Sequence, residues 1–234
     1  MIRIGIADLV VEINNKYEYI KTLSEDYLTD ALPDFCVEAS EEDFELEAKM
    51  ADVQYPREYL ESIIVYRKIA ERLPDYGAFV FHGVAVEADG GAYIFTAPSG
   101  VGKTTHVRLW LREFSDVGII NGDKPIVRFV GDQARVYGTP WRGKEGYGVN
   151  KNAHLLAVCF VGRSPKNSTA PLSVDEASVR FFRQVYMPEG RAALAKTLAL
   201  AGEVLKKVGR VRLDCNMLPE AAHISREALK NVIK

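Results

Sequence analysis

Cysteine is scarce in this 234-residue chain, which has only Cys36, Cys159 and Cys215. Their odd number and wide spacing exclude a disulfide framework and a cysteine-based metal site, and they predict a reducing compartment. Long apolar runs are missing as well. Nothing approaches the roughly 18 uninterrupted apolar residues of a membrane span. The start, Met1-Ile-Arg-Ile-Gly-Ile-Ala-Asp8, lacks the basic region and apolar stretch of a signal peptide. Neither sign of charge dominates: 30 Lys and Arg against 32 Asp and Glu leave −2. That balance predicts neither nucleic acid nor an anionic membrane as a partner. There is no internal repeat and no low-complexity tract. What remains is ordinary globular material, 47% hydrophobic and 26% charged, enough for a full core. The chain therefore reads as soluble and cytoplasmic, with one catalytic-sized domain and an accessory segment. A homo-oligomer is compatible with all of this.

The accessory segment is residues 1–75. Ile2, Ile4 and Ile6 alternate with Arg3 and Gly5, and Leu9 to Ile13 follow, predicting one or two β segments. Phe44-Glu45-Leu46-Glu47 alternates again and reads as an edge strand. The acidic stretch around it is either a solvated edge or a docking face for a basic partner. After Pro56, Leu60, Ile63, Ile64, Tyr66 and Ile69 fall at helical spacing, and Pro74 closes the helix.

In residues 76–234 the pattern changes. Ala78 to Val86 reads as a strand, Asp89-Gly90 as a turn, and Ala92 to Thr96 as the second strand of a hairpin. A helix is predicted from about Gly102 to Phe114, then strands at 117–120, 125–130, 134–137 and 155–161. Residues 163–173 read as a loop, 175–186 and 189–207 as helices, 211–213 as a short strand, and 219–234 as a terminal helix. Interleaved strands and helices predict an α/β fold with a mixed sheet.

Four segments carry candidate chemistry. Ala97-Pro98-Ser99-Gly100-Val101-Gly102-Lys103-Thr104, followed by Thr105, fits a phosphate-binding loop with Ala at its first glycine position. Small residues let backbone N–H groups turn around a polyphosphate, and the helix N-terminus behind them adds positive potential. Lys103 is placed to reach the β/γ-phosphates of ATP, and the Thr104 hydroxyl to bind Mg²⁺. The second segment, Val117 to Lys124, is an apolar strand that ends in Asp123. In an α/β sheet that end faces ligand, so Asp123 either holds Mg²⁺ or accepts a proton from an attacking hydroxyl. It also reads as a plain Asn-Gly-Asp turn. The third candidate is His82. With Asp89-Gly90 as the turn it lies opposite Ala97, and a two-residue slip would put it opposite Ser99. Either register sets it beside the loop, although an ordinary strand histidine fits too. Fourth, Gly138 to Gly148 frames Trp141, Arg142, Lys144 and Glu145 with Gly and Pro. It is a carrier of cations for transition-state charge or a surface turn. His106, His154 and His223 show no partner pattern, and His106 reads as a packing or surface residue.

Together, His82-Gly83-Val84-Ala85-Val86, the hairpin, Ser99 to Thr104 and Asp123 resemble the HPr kinase/phosphorylase family. Asn121 to Pro125, Gly138 to Trp141 and Gly143 to Glu145 resemble its smaller serine-kinase-like relatives. The resemblance covers residues of roughly 78–150. It implies the fold shared with phosphoenolpyruvate carboxykinases, a His82–Asp123 pair at the site, and phosphate transfer from ATP to a serine hydroxyl. That serine would belong to a peptide, a protein or the free amino acid. Gly122 stands where the larger kinases carry the first of two adjacent acids, and Pro140 occupies the acid position two residues before Arg142-Gly143. The first departure leaves one carboxylate to serve both Mg²⁺ and proton transfer, and the second sets HPr aside as the expected acceptor, and reverse phosphorolysis with it. The competing expectation is a catalytically silent nucleotide-binding module that docks a peptide or protein.

Overall fold

The computed structural model describes residues 1–233. Two sheets are built from twelve strands, and the described residues include seven α-helices. β1 (Ile2–Ile6) and β2 (Leu9–Asn14) form a hairpin whose turn, Ala7-Asp8, has φ of 52° and 55°. α1 (Tyr19–Leu23) follows, and β3 (Phe35–Glu38) then pairs parallel with β2. The expected edge strand at 44–47 is instead part of α2 (Glu41–Met50). Ser40 and Asp43 form a capping box there, which overrides the short alternation. Phe44 and Glu47 share the buried face at i, i+3. The surrounding acids have local partners: Glu41 pairs with Lys16 and Arg57, Asp43 with Lys68, and Glu47 with Arg67. α3 (Arg57–Arg72) then runs as its apolar spacing predicts.

The apolar run 78–86 divides in two. β4 (Ala78–Val80) pairs with β8 (Ile126–Val130), while β5 (Val84–Ala88) pairs with β6 (Gly91–Thr96). The switch falls at His82-Gly83. A Cβ on Gly83 would sit 2.7 Å from Ile94 Cγ2 and 3.0 Å from the Phe95 carbonyl, so only glycine lets the chain pass. The hairpin keeps the expected register, with Val84 opposite Phe95 and Ala88 opposite Gly91. Its Asp89-Gly90 turn has both φ values positive, as a two-residue hairpin loop requires.

After α4 (Lys103–Glu113) come β7 (Gly118–Asn121), β8, β9 (Gln133–Tyr137) and β10 (Asn152–Arg163). β11 (Ser168–Pro171) lies within the stretch read as a loop. It pairs antiparallel with β12 (Gly209–Cys215), so a tertiary edge makes a strand of a polar segment with no strand pattern of its own. α5 (Val174–Phe182), α6 (Arg191–Lys207) and α7 (Glu220–Asn231) complete the chain. The larger sheet runs β4-β8-β9-β10-β6-β5-β7, and β12 also pairs with β10.

β10 is central, parallel to both β6 and β12, and its pairing shifts between Leu155 and Ala157. Beyond that shift, alternate residues serve opposite faces. Ala157, Cys159 and Val161 pack with α4 and α7 residues such as Trp110 and Leu229. Val158 and Phe160 pack with Phe181 of α5 and Val204 of α6. Both faces are covered, which is why this strand reads as one apolar run. A third cluster joins Ile4, Val11 and Ile13 of the first sheet to Val80, Ile126 and Tyr137 of the second. No helix among the described residues is long and apolar enough to cross a membrane.

Candidate functional site

The glycine-rich loop connects β6, buried along its whole length, to α4. Gly100 and Gly102 have φ of 77° and 121°. A Cβ at either would meet nothing within 4 Å, so backbone conformation and not crowding asks for glycine. Arg163, at the end of β10, donates from Nε to the Val101 carbonyl at 2.8 Å and from its terminal nitrogen to the Gly100 carbonyl. A carbonyl and the next N–H point oppositely within a peptide plane. Arg163 therefore turns the Gly102 amide to the far side of the loop. No side chain caps α4, which leaves its first N–H groups without a side-chain acceptor. The Lys103 ammonium crosses the loop to the Ala97 carbonyl at 2.8 Å. Ser99 and Thr105 are exposed, while Thr104 is half-buried.

Opposite the loop, β7 ends in the fully buried Asn121. Its Oδ1 accepts from the Asp123 and Lys124 N–H groups at 2.9 and 2.7 Å. Its Nδ2 donates to the Thr139 carbonyl at 3.1 Å and to Thr139 Oγ1 at 3.0 Å. One amide thus shapes the turn that carries Asp123 and ties it to the 138–148 segment. That segment lies close. A Cβ on Gly122 would be 2.8 Å from the Arg142 carbonyl, and one on Gly143 would be 2.8 Å from Asp123 Cβ. The first distance asks for glycine, since no side chain fits at 122 unless residues 142–147 move.

His82 stands where β4 hands over to β5. Its Nε2 is 3.4 Å from Asp123 Oδ1, and its Nδ1 is 2.9 Å from Gln184 Oε1. A proton on Nδ1 donates to Gln184, and a proton on Nε2 faces the Asp123 carboxylate. Burial, then the Lys103 and Lys124 charges, hold His82 below the ordinary histidine value against the pull of Asp123 and Gln184. Burial also lowers Lys103; Asp123 pulls it back up and Lys124 pushes it down. His82, Lys103, Asp123 and Lys124 therefore share one electrostatic neighbourhood.

The 138–148 segment uses its charges differently from expectation. The Arg142 guanidinium pairs with Asp26 at 2.5 Å and lies over the Tyr27 ring, 5.6 Å from its centre. It braces residues 1–75 instead of reaching freely toward the loop. Lys144 is exposed and makes no ion pair or hydrogen bond among the described residues. Glu145 bonds Arg108 on α4, and Trp141 Nε1 donates to the Ser62 carbonyl on α3 at 3.0 Å. Tyr59 and Tyr66 of α3 lie near enough to feel Asp123: burial first, and the Asp123 charge among lesser causes, raise both phenols. His106 is a packing residue, 2% exposed, with Nε2 3.0 Å from Ser225 Oγ and its pKa lowered to about 4 by burial.

Sequence reasoning missed Gln184, Arg163, Thr139 and the clamping role of Asn121. Asn121 alone carried a signal, because Asn two residues before an acid is turn chemistry. Two cavities flank the loop. One of about 560 Å³ is lined by Val101, Thr105, His106, Val161, Pro165 and Met217, and one of about 240 Å³ lies beyond Ala97 and Pro98. Among the described residues no cluster of three His, Cys, Asp or Glu side chains forms a metal site.

A mixed α/β fold is thus established, with a glycine-rich turn and a His–Asp pair beside it. No sequence-family profile matches the chain, and a search of curated proteins found no match. Among solved structures, an HPr(Ser) kinase/phosphatase from Coxiella burnetii is similar at 10% identity and a TM-score of 0.38. The similarity covers 65% of this chain and 97% of that one.

Proposed function

We propose that this chain is an ATP- and Mg²⁺-dependent phosphotransferase of the HPr serine kinase type, acting on a hydroxyl. The acceptor is a serine of a peptide, a protein or the free amino acid. Residues 76–234 form the kinase-like domain, with a core of the HPr kinase and phosphoenolpyruvate carboxykinase type, and residues 1–75 form an accessory region. The observation that carries this reading is the convergence of Lys103 and the His82–Asp123 pair at one half-buried place.

The uncapped α4 N-terminus and the Gly102 amide turned by Arg163 suit a polyphosphate. A single carboxylate and a hydroxyl, Asp123 and Thr104, suit Mg²⁺, which takes one or two protein oxygens and completes its shell with phosphates and water. When bound, the ion supplies neutralisation of phosphate charge. Lys103 leaves the Ala97 carbonyl for the γ-phosphate. The acceptor oxygen forms its bond to γ-phosphorus as the bond to the β-phosphate oxygen breaks and ADP departs. The hydroxyl proton passes to Asp123, whose carboxylate lies 3.4 Å from His82 Nε2. Little covalent help is needed, so positioning dominates the rate.

Incubation with γ-labelled ATP, Mg²⁺ and serine-bearing acceptors tests the reading. Labelled phosphoserine supports it. Nucleotide bound without any transfer supports the silent binding module, which the engagement of Arg142 by Asp26 favours.

A further inference from the structure

The smaller cavity, about 240 Å³, has an unusual wall. Beyond Thr96, Ala97 and Pro98 of the loop it is lined by Arg180, Arg183 and Arg212. Arg180 stands in the last turn of α5, and Arg183 and Gln184 follow in the turn just beyond it; all three line this cavity. Arg212 arrives from β12 and pairs with Asp214 at 3.0 Å. Arg180 and Arg183 have no ion pair or hydrogen bond among the described residues. Three guanidinium groups thus face one carboxylate around a single concavity. A helix C-terminus by itself favours cations. That accounts for Arg180 and Arg183, but not for a third arginine brought to the same hollow by a different element. Gly162 belongs to the arrangement too: a Cβ there would be 2.6 Å from Asp214 Oδ1, so its absence lets Asp214 close up on β10. Gln184 also lines the cavity and holds His82 through Nδ1, which connects the cavity to the proton-accepting pair. The larger cavity, on the α4 side, is lined by Val101, Val161, Pro165 and Met217. Its apolar wall suits a nucleoside and leaves the smaller one to the acceptor.

We propose that this arginine-lined cavity is the acceptor subsite, and that it selects hydroxyl compounds bearing a carboxylate, gripped by Arg180 and Arg183 while the hydroxyl faces His82 and Asp123. This rests on the phosphotransferase reading. Guanidinium groups recognise carboxylates through paired N–H donors, whereas a neutral amide offers them a single weaker oxygen. A carboxylate has three sources here: a free amino acid, a chain-terminal serine, or an acidic side chain flanking an internal serine.

Three matched pairs of acceptors separate these sources. They are L-serine with L-serinamide, a peptide ending in Ser with its C-terminal amide, and an amidated peptide in which internal Ser is flanked by Glu or by Gln. At least one charged member should be used with about tenfold higher kcat/KM, the loss expected when a charged hydrogen-bonding partner is removed. Arg180→Gln and Arg183→Gln should erase that preference by raising the acceptor KM while leaving the KM for ATP unchanged. Equal use within every pair overturns the proposal, as does a preference that survives both substitutions. Calorimetric titration with O-phospho-L-serine addresses the cavity without turnover. Binding should weaken about tenfold in the double variant, whose glycine-rich loop is intact. No binding to the wild type, or equal binding to both, overturns the proposal. If no acceptor is phosphorylated yet phosphoserine binding depends on the arginines, the phosphotransferase reading fails and takes the acceptor role with it, while an anion-binding cavity remains.

Discussion

The two sides of the candidate site are held in opposite ways. The glycine-rich loop is exposed at Pro98, Ser99 and Gly100, and it depends on backbone conformations that only its glycines adopt easily. The turn carrying Asp123 depends on buried side chains, since Asn121 and Thr139 are 0% and 1% exposed and satisfy one another. The loop side is therefore held at the surface, by its backbone and by Arg163 and Lys103, and the acid side by a buried side-chain network.

Substitution at each side should separate binding from turnover. Lys103→Ala should lower phosphoryl transfer by about 10³-fold and weaken ATP binding with it. Asp123→Asn should lose turnover to a similar extent while ATP still binds. Paired calorimetry and single-turnover assays check both, and turnover retained by the Asp123 variant would assign the proton to another group. Asn121→Ala removes the acceptor of the Asp123 and Lys124 amides and the donor to the Thr139 carbonyl, and should cost about 3 kcal/mol of stability in urea unfolding.

Acid should act from behind the loop. His106 has a folded pKa of about 4 against about 6.5 unfolded, so the unfolded chain binds the proton first. Its contribution is complete above pH 6.5 and is lost as pH falls toward 4, amounting to about 2 kcal/mol by pH 5. His82, also lowered, has the same sign. Unfolding midpoints from pH 7 to 5 should fall for the wild type and stay flatter for His106→Gln. The smallest effect is at Gly143, whose φ of 74° and 2.8 Å approach to Asp123 Cβ leave no room for a methyl group. Gly143→Ala should cost about 1–2 kcal/mol and reduce turnover without changing ATP affinity.

How much of this was legible in the sequence follows the same division. The loop, the hairpin register and α4 could be read because their requirements are local: Gly at positive φ, Asp-Gly at a two-residue turn, an apolar strand before a helix. The acid turn was visible only as Asn-Gly-Asp. Its supports come from Thr139 and Tyr147 across the fold, the latter accepting the Gly122 N–H at 2.9 Å. Gln184 lies 102 positions from the histidine it orients, a distance no spacing rule spans. The misreading at Phe44 to Glu47 has a local cause, because four alternating residues carry less information than the Ser40–Asp43 cap before them. β11 was missed for the reverse reason, as its strand character comes from the β12 edge alone.

Titration of Mg²⁺·ATP into the intact chain, followed by the same titration into Lys103→Ala, goes to the root of the account. Saturable binding at one site per chain should appear in the first and weaken by at least about tenfold in the second. Absence of binding to the wild type, or equal affinity in the two proteins, would contradict a triphosphate held between the glycine-rich loop and Asp123.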